Sequence, residues 1–167
     1  MTTMDSGRVL HASHEGVHVL RFIGDIRYNL SPSVERFLES VYAGPPPAGF
    51  VIDLTETDSI DSTNLGLLVQ IARWMQVHNA PRVTIVSVRD EINDLLTSMA
   101  FDEVFDIVTR TSVEAGKQRE LPPGNTDKAT LARTMLEAHR ALMELSESNQ
   151  EMFHDVVTAL EKNAAKG

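Results

Sequence analysis

Five residues near the middle of the chain, Phe50-Val51-Ile52-Asp53-Leu54, carry one carboxylate among four large apolar side chains. A strand wetted on one face alternates polar with apolar residues, so a nearly unbroken apolar run of this length is a central strand covered on both faces. Gly44-Pro45-Pro46-Pro47 stands just before it. Proline lacks a backbone donor and clashes with the preceding turn, so whatever helix comes earlier ends there. After the run, Leu65, Leu68, Val69, Ala72, Met75 and Gln76 recur at helical spacing until Asn79-Ala80-Pro81, which makes residues 62–79 an amphipathic helix with its apolar stripe on one side.

The flanking segments repeat this alternation. Residues 8–14 and 17–24 read as two strands joined by a tight turn at Glu15-Gly16. Ser31-Pro32-Ser33 offers a cap and a first-turn proline, and Val34, Phe37, Leu38 and Val41 follow at helical spacing. Residues 83–88 supply another buried strand, 90–99 a helix, 104–108 a short strand and 111–120 a fourth helix. A hairpin followed by β-α-β-α-β predicts an α/β fold, with a mixed sheet and helices packed on one side of it. Leu121-Pro122-Pro123-Gly124-Asn125 interrupts every periodic pattern. The expected organisation is therefore a domain over 1–120, a linker over 121–125 and a C-terminal helical extension over 126–167.

Composition narrows the function classes. A net charge of −9 opposes binding to phosphate backbones or anionic lipid surfaces, so neither nucleic acid nor membrane is an expected partner. With no cysteine in 167 residues, disulfides, thiolate metal sites and cysteine catalysis are excluded. No run of about 18 apolar residues is present and the N-terminus lacks a basic cluster, so the expectation is a cytoplasmic protein with protein partners. Glycine-rich nucleotide loops are absent, and no cofactor or metal is indicated. Asp53, Asp58 and Asp61 lack the partners an acid–base enzyme would need, so no catalytic residue is assigned. Among the six histidines, only His11, His14 and His18 fall near one another, around the hairpin, without supporting carboxylates.

Asp58-Ser59-Ile60-Asp61-Ser62-Thr63 joins the central strand to the helix that follows and is rich in short side-chain oxygens. Asp61 or Ser62 acting only as a helix cap accounts for such residues equally well. A helix start also offers unpaired N–H groups and the positive end of a dipole, so a phosphate on Ser62 would be tolerated locally. Its charge of about −1.5 to −2 would be felt by whatever docks there.

Residues 54–66, from Leu54 through Asp58-Ser59-Ile60-Asp61-Ser62-Thr63-Asn64-Leu65-Gly66, resemble the signature of STAS domains of the anti-sigma factor antagonist family, and Gly24-Asp25-Ile26 resembles that family's Gly-Glu-Leu segment after the second strand. The similarity in element order covers roughly 8–117. Asn64 stands where the family usually has glycine, and Arg27 where an aspartate is common. The resemblance implies a bacterial partner-switching protein with a STAS-type sheet, not an enzyme. It implies that Ser62 is phosphorylated, with Thr63 as the competing hydroxyl, and that Asp25, Asp58, Ser59, Asp61, Ser62, Thr63, Asn64, Leu65 and Gly66 form the partner-binding surface. The implied partners are an anti-sigma factor that is also a serine kinase, and a serine phosphatase, which in some systems is linked to a response regulator. The alternative is a non-switching STAS accessory or scaffold subunit, for example of a lipid-transport ATPase.

Residues 126–162 contain no proline or glycine and are rich in strong helix formers, which predicts a long helix. Leu131, Met135, Ala138, Leu142, Leu145, Asn149, Met152, Val156 and Ala159 alternate spacings of three and four, a stripe suited to packing along another helix. Pairing in a homodimer, binding a partner helix and docking back on the preceding domain all satisfy that stripe. Asn149 within it marks either a register or a break between two shorter helices.

Overall fold

The computed structural model describes residues 6–111, 113 and 116–166. Strands β1 (Arg8–His14) and β2 (Val17–Ile26) pair antiparallel. Glu15 and Gly16 between them both take positive φ, 50° and 81°, the mirror-image turn whose twist matches that of the flanking strands. A short 3₁₀ turn leads into helix α1 (Ser31–Tyr42), which carries Pro32 in its first turn. Ser31 does not cap this helix: it lies inside the first turn, and its hydroxyl donates back to the carbonyl of Tyr28.

The central run lies within β3 (Gly49–Ile60), which leads directly into α2 (Ser62–Val77). Beyond them come β4 (Thr84–Val86), α3 (Asp90–Ser98) and β5 (Asp106–Val108). The described residues of 111–120 do not form the expected helix. Arg119–Glu120 instead makes a short strand, β6, paired antiparallel with Leu10 and His11 of β1, and residues 112, 114 and 115 lie outside the described residues. The sheet order is β5-β4-β3-β2-β1-β6, parallel from β2 to β5 and antiparallel at β1. β6 thereby occupies the edge that β1 would otherwise leave open to unwanted pairing.

The two faces of the sheet are unequal. Leu20, Phe22, Ile52, Leu54 and Ile85 pack on one face against Val34, Leu38, Leu68, Ile71, Ile92 and Leu96 of the first three helices. Val19, Val51 and Val86 form a small cluster on the other face, with Val17, Val108 and Val113 against it. Both faces of β3 are therefore covered at its centre, which is why Phe50–Leu54 shows no polar alternation.

The C-terminal extension consists of two helices, α4 (Lys128–Met143) and α5 (Glu147–Lys166). Of the two readings of Asn149, the break holds: the helical segment is interrupted at 144–146, where the Ser146 hydroxyl accepts from the Asn149 amide and starts a new helix. Pro123, within the segment expected to be a linker, is held against α1, with Arg36 donating to its carbonyl at 2.7 Å. α4 packs on α1 and α2, and α5 packs on α4. Ala138 and Leu142 are fully buried, and Ala141, Leu142 and Phe153 join the main core.

The break shifts the apolar stripe. On α5 the buried positions are Asn149, Phe153 and Val157, while Met152 and Val156 are 51% and 41% exposed. The three-and-four spacing therefore describes the packed face only as far as Asn149. Asn149 sits at the break, donating through Nδ2 to the carbonyls of Met99 and Leu142, both at 2.9 Å.

Candidate functional site

α2 begins where the last residue of β3, Ile60, gives way to Asp61. With extended backbone (φ −85°, ψ 169°), Asp61 is the N-cap, and its Oδ1 accepts from the Asn64 amide at 3.1 Å. The cap is braced from a second direction. Asn64 is completely buried, and its Nδ2 donates to Asp61 Oδ1 at 2.9 Å and to the Arg27 carbonyl at 3.0 Å. Flipping the amide would set its oxygen against two acceptors, so the orientation is fixed by chemistry. Asn64 thus ties the start of α2 to the loop after β2, a link that glycine could not make.

Ser62 is the first residue of α2 and is half-buried, whereas Thr63 is only 2% exposed. Of the two hydroxyls, Ser62 is the more accessible. Ser62 Oγ lies 2.7 Å from His139 Nε2 of α4. The other ring nitrogen, Nδ1, lies 2.6 Å from the Met135 carbonyl, which can only accept. The Met135 carbonyl thus selects the Nδ1–H tautomer, in which Nε2 accepts the Ser62 hydroxyl proton. A serine–histidine pair of this kind polarises the hydroxyl, and His139 itself is only 4% exposed.

Next to this half-buried serine is an open surface. Asp25, Arg27, Tyr28, Ser59 and Asp61 help to line a shallow depression of about 340 Å³. Asp25 accepts hydrogen bonds from the Ser59 hydroxyl and from Arg27 Nε, the latter at 2.6 Å, and these hold its carboxyl below the usual carboxylate range. Tyr28 is about half exposed. Asp58 is exposed and pairs with Arg89 at 2.6 Å, while the same guanidinium also donates to the Thr57 carbonyl.

The residues singled out in the sequence therefore divide into two groups. Asp25, Asp58, Ser59, Asp61 and Ser62 reach the surface to differing extents, whereas Thr63, Asn64, Leu65 and Gly66 are buried. Gly66 faces α4, and a Cβ added there would lie 2.2 Å from the Ala138 carbonyl oxygen. Asp53 lies apart, on the Val51 face of the sheet, where it accepts from the Thr55 amide and pairs with Arg21. His11 and His18 meet at 2.9 Å against Phe37 and Phe50, with His14 elsewhere on the surface. Among the described residues, no three potential ligands gather as a metal site, and no helix is long and apolar enough to cross a membrane.

His139 was not among the residues picked out from sequence, and neither were Arg27 and Tyr28 as parts of the surface. His139 carries no local signal, because its partner is 77 positions away. Arg27 and Tyr28 follow the Gly24-Asp25-Ile26 segment directly, so its resemblance could have been extended to them.

The STAS domain family model matches residues 10–115. A solved structure, that of an anti-sigma factor antagonist from Mycobacterium paratuberculosis, superposes with a TM-score of 0.56 at 22% identity, covering 66% of this chain and 92% of that one. A search of curated proteins finds no match.

Proposed function

Because the chain belongs to the STAS domain family, we propose that it is an anti-sigma factor antagonist controlled by phosphorylation. In the unmodified state it binds an anti-sigma factor that is also a serine kinase, or a related regulator, and phosphate on Ser62 ends that complex until a serine phosphatase removes it. The observation that carries this is the position of Ser62. It begins α2, is the less buried of two adjacent hydroxyls, and borders the open surface of Asp25, Tyr28, Ser59 and Asp61. A hundredfold loss of affinity requires about 2.7 kcal/mol, within reach of a doubly charged group placed in a docking surface. Mass spectrometry of protein from its native cell, under growth and under stress, tests the modification. Calorimetry with the partner recovered by a Ser62→Ala pull-down tests its effect: Ser62→Ala retains affinity and Ser62→Asp loses it. Equal affinities would remove the switch.

One observation favours a second reading, a non-switching accessory subunit of a larger assembly. The Ser62 hydroxyl is already engaged by the chain's own His139. Such a subunit would co-purify stably with its assembly, such as a lipid-transport ATPase, and would never carry phosphate.

A further inference from the structure

At Gly66 the backbones of α2 and α4 are in close contact. Gly66 has no side chain, and the space its Cβ would need is filled by the Ala138 backbone. Ala138 is fully buried and His139 nearly so. One helical turn earlier on α2, the Ser62 hydroxyl donates to His139 Nε2. The hydroxyl is thus held at the edge of a close-packed interface, and the hydrogen it donates is the one that modification would remove.

We propose that docking of α4 and phosphate on Ser62 exclude each other, so that the α4–α5 pair gates this hydroxyl and is released by its modification. This rests on the reading of Ser62 as the phosphorylated residue. In the transfer, Ser62 Oγ attacks the terminal phosphoryl group of a nucleoside triphosphate held by a kinase. The O–H bond is replaced by O–P, the proton passes to the kinase's base, and a nucleoside diphosphate leaves. A kinase cannot bring that group to Oγ while His139 and α4 sit against it. Afterwards the ester has no proton to donate, so anionic oxygens face the acceptor lone pair of His139 in a seam where the Ala138 backbone already lies against Gly66. The coupling is reciprocal: whatever lifts α4 exposes Ser62, and whatever phosphorylates Ser62 lifts α4.

The test uses the full chain and no partner. The protein has no cysteine, so Ser62→Cys introduces a single thiol whose alkylation by iodoacetamide reports access to this position. Adding Gly66→Ala forces the α2–α4 seam apart and is expected to speed alkylation by about tenfold or more; equal rates would overturn the gate. In a second arm, phosphoserine is encoded at position 62 and amide exchange is followed. Amides of α4 are expected to lose protection while those of β3 keep theirs, and retained protection in α4, as a protonated His139 clamping the phosphate would give, overturns the proposal. The β3 amides also verify folding, and if Gly66→Ala does not fold, the phosphoserine arm decides. Neither arm depends on an anti-sigma factor or kinase, so failure here leaves the proposed function to its own test, and a native protein that never carries phosphate removes that function without altering the alkylation rates.

Discussion

Ser62 and His139, 77 positions apart in sequence, are joined by a hydrogen bond of 2.7 Å that links the start of α2 to the middle of α4. Removing either partner strands the other at a mostly buried position, at a penalty of about 1–2 kcal/mol. Ser62→Ala and His139→Ala are each expected to lower stability by about that amount, and the double variant by less than their sum, leaving a coupling of about 1 kcal/mol in urea unfolding. Strict additivity would show that the pair is not coupled.

Asn64 replaces the glycine common in this family and makes contacts that glycine cannot. Asn64→Gly removes both Nδ2 bonds, to Asp61 and to the Arg27 carbonyl, and adds the helix penalty of glycine. A loss of about 2 kcal/mol in chemical unfolding is expected. Asn64→Asp sets a second carboxylate against Asp61 and is expected to lose more still, although it is the closer match in shape.

Asn149 and Met152 lie on one sequence stripe but are expected to respond oppositely to substitution. Asn149→Ala leaves the carbonyls of Met99 and Leu142 without their donor and lowers stability by about 2 kcal/mol. Met152→Ser, on the exposed side of α5, stays within about 0.5 kcal/mol of the parent. Thermal unfolding of the two variants side by side checks the helix phase.

The His11–His18 pair predicts weakening in acid. Burial, then the neighbouring His18, lowers His11 from 6.5 to about 4, and burial lowers His18 as well. Below 6.5 the unfolded chain binds protons that the native pair refuses, so this contribution is complete above 6.5 and is lost as pH falls through about 4. Glu35 opposes the trend, since burial raises its carboxyl and the native state takes up its proton first. His11→Phe is expected to flatten the loss of melting temperature between pH 7 and 5, and an unchanged slope would assign the acid sensitivity elsewhere.

The sheet and its first three helices were legible because their signals are local. Phe50–Leu54 had to be covered on both faces, Glu15-Gly16 had to turn, and the prolines had to end helices, whatever the rest of the chain did. β6 was not legible, because a two-residue edge strand has no periodicity to detect and only β1 across the sheet gives it a partner. The site was half legible. Asp61 and Ser62 announce a helix start by residue type, but whether Ser62 meets solvent or another side chain depends on what packs over α2.

Chain order and residue type by themselves settled the α/β architecture, the Asp61–Ser62 junction and the helical character of the C-terminal segment. Tertiary packing alone decided that this segment breaks at Ser146, turns its stripe onto α2 and places His139 on Ser62. The physical reason is that an apolar stripe records only that a helix face seeks cover. Which surface provides it depends on shape, here the absence of a Cβ at Gly66 that lets the Ala138 backbone approach.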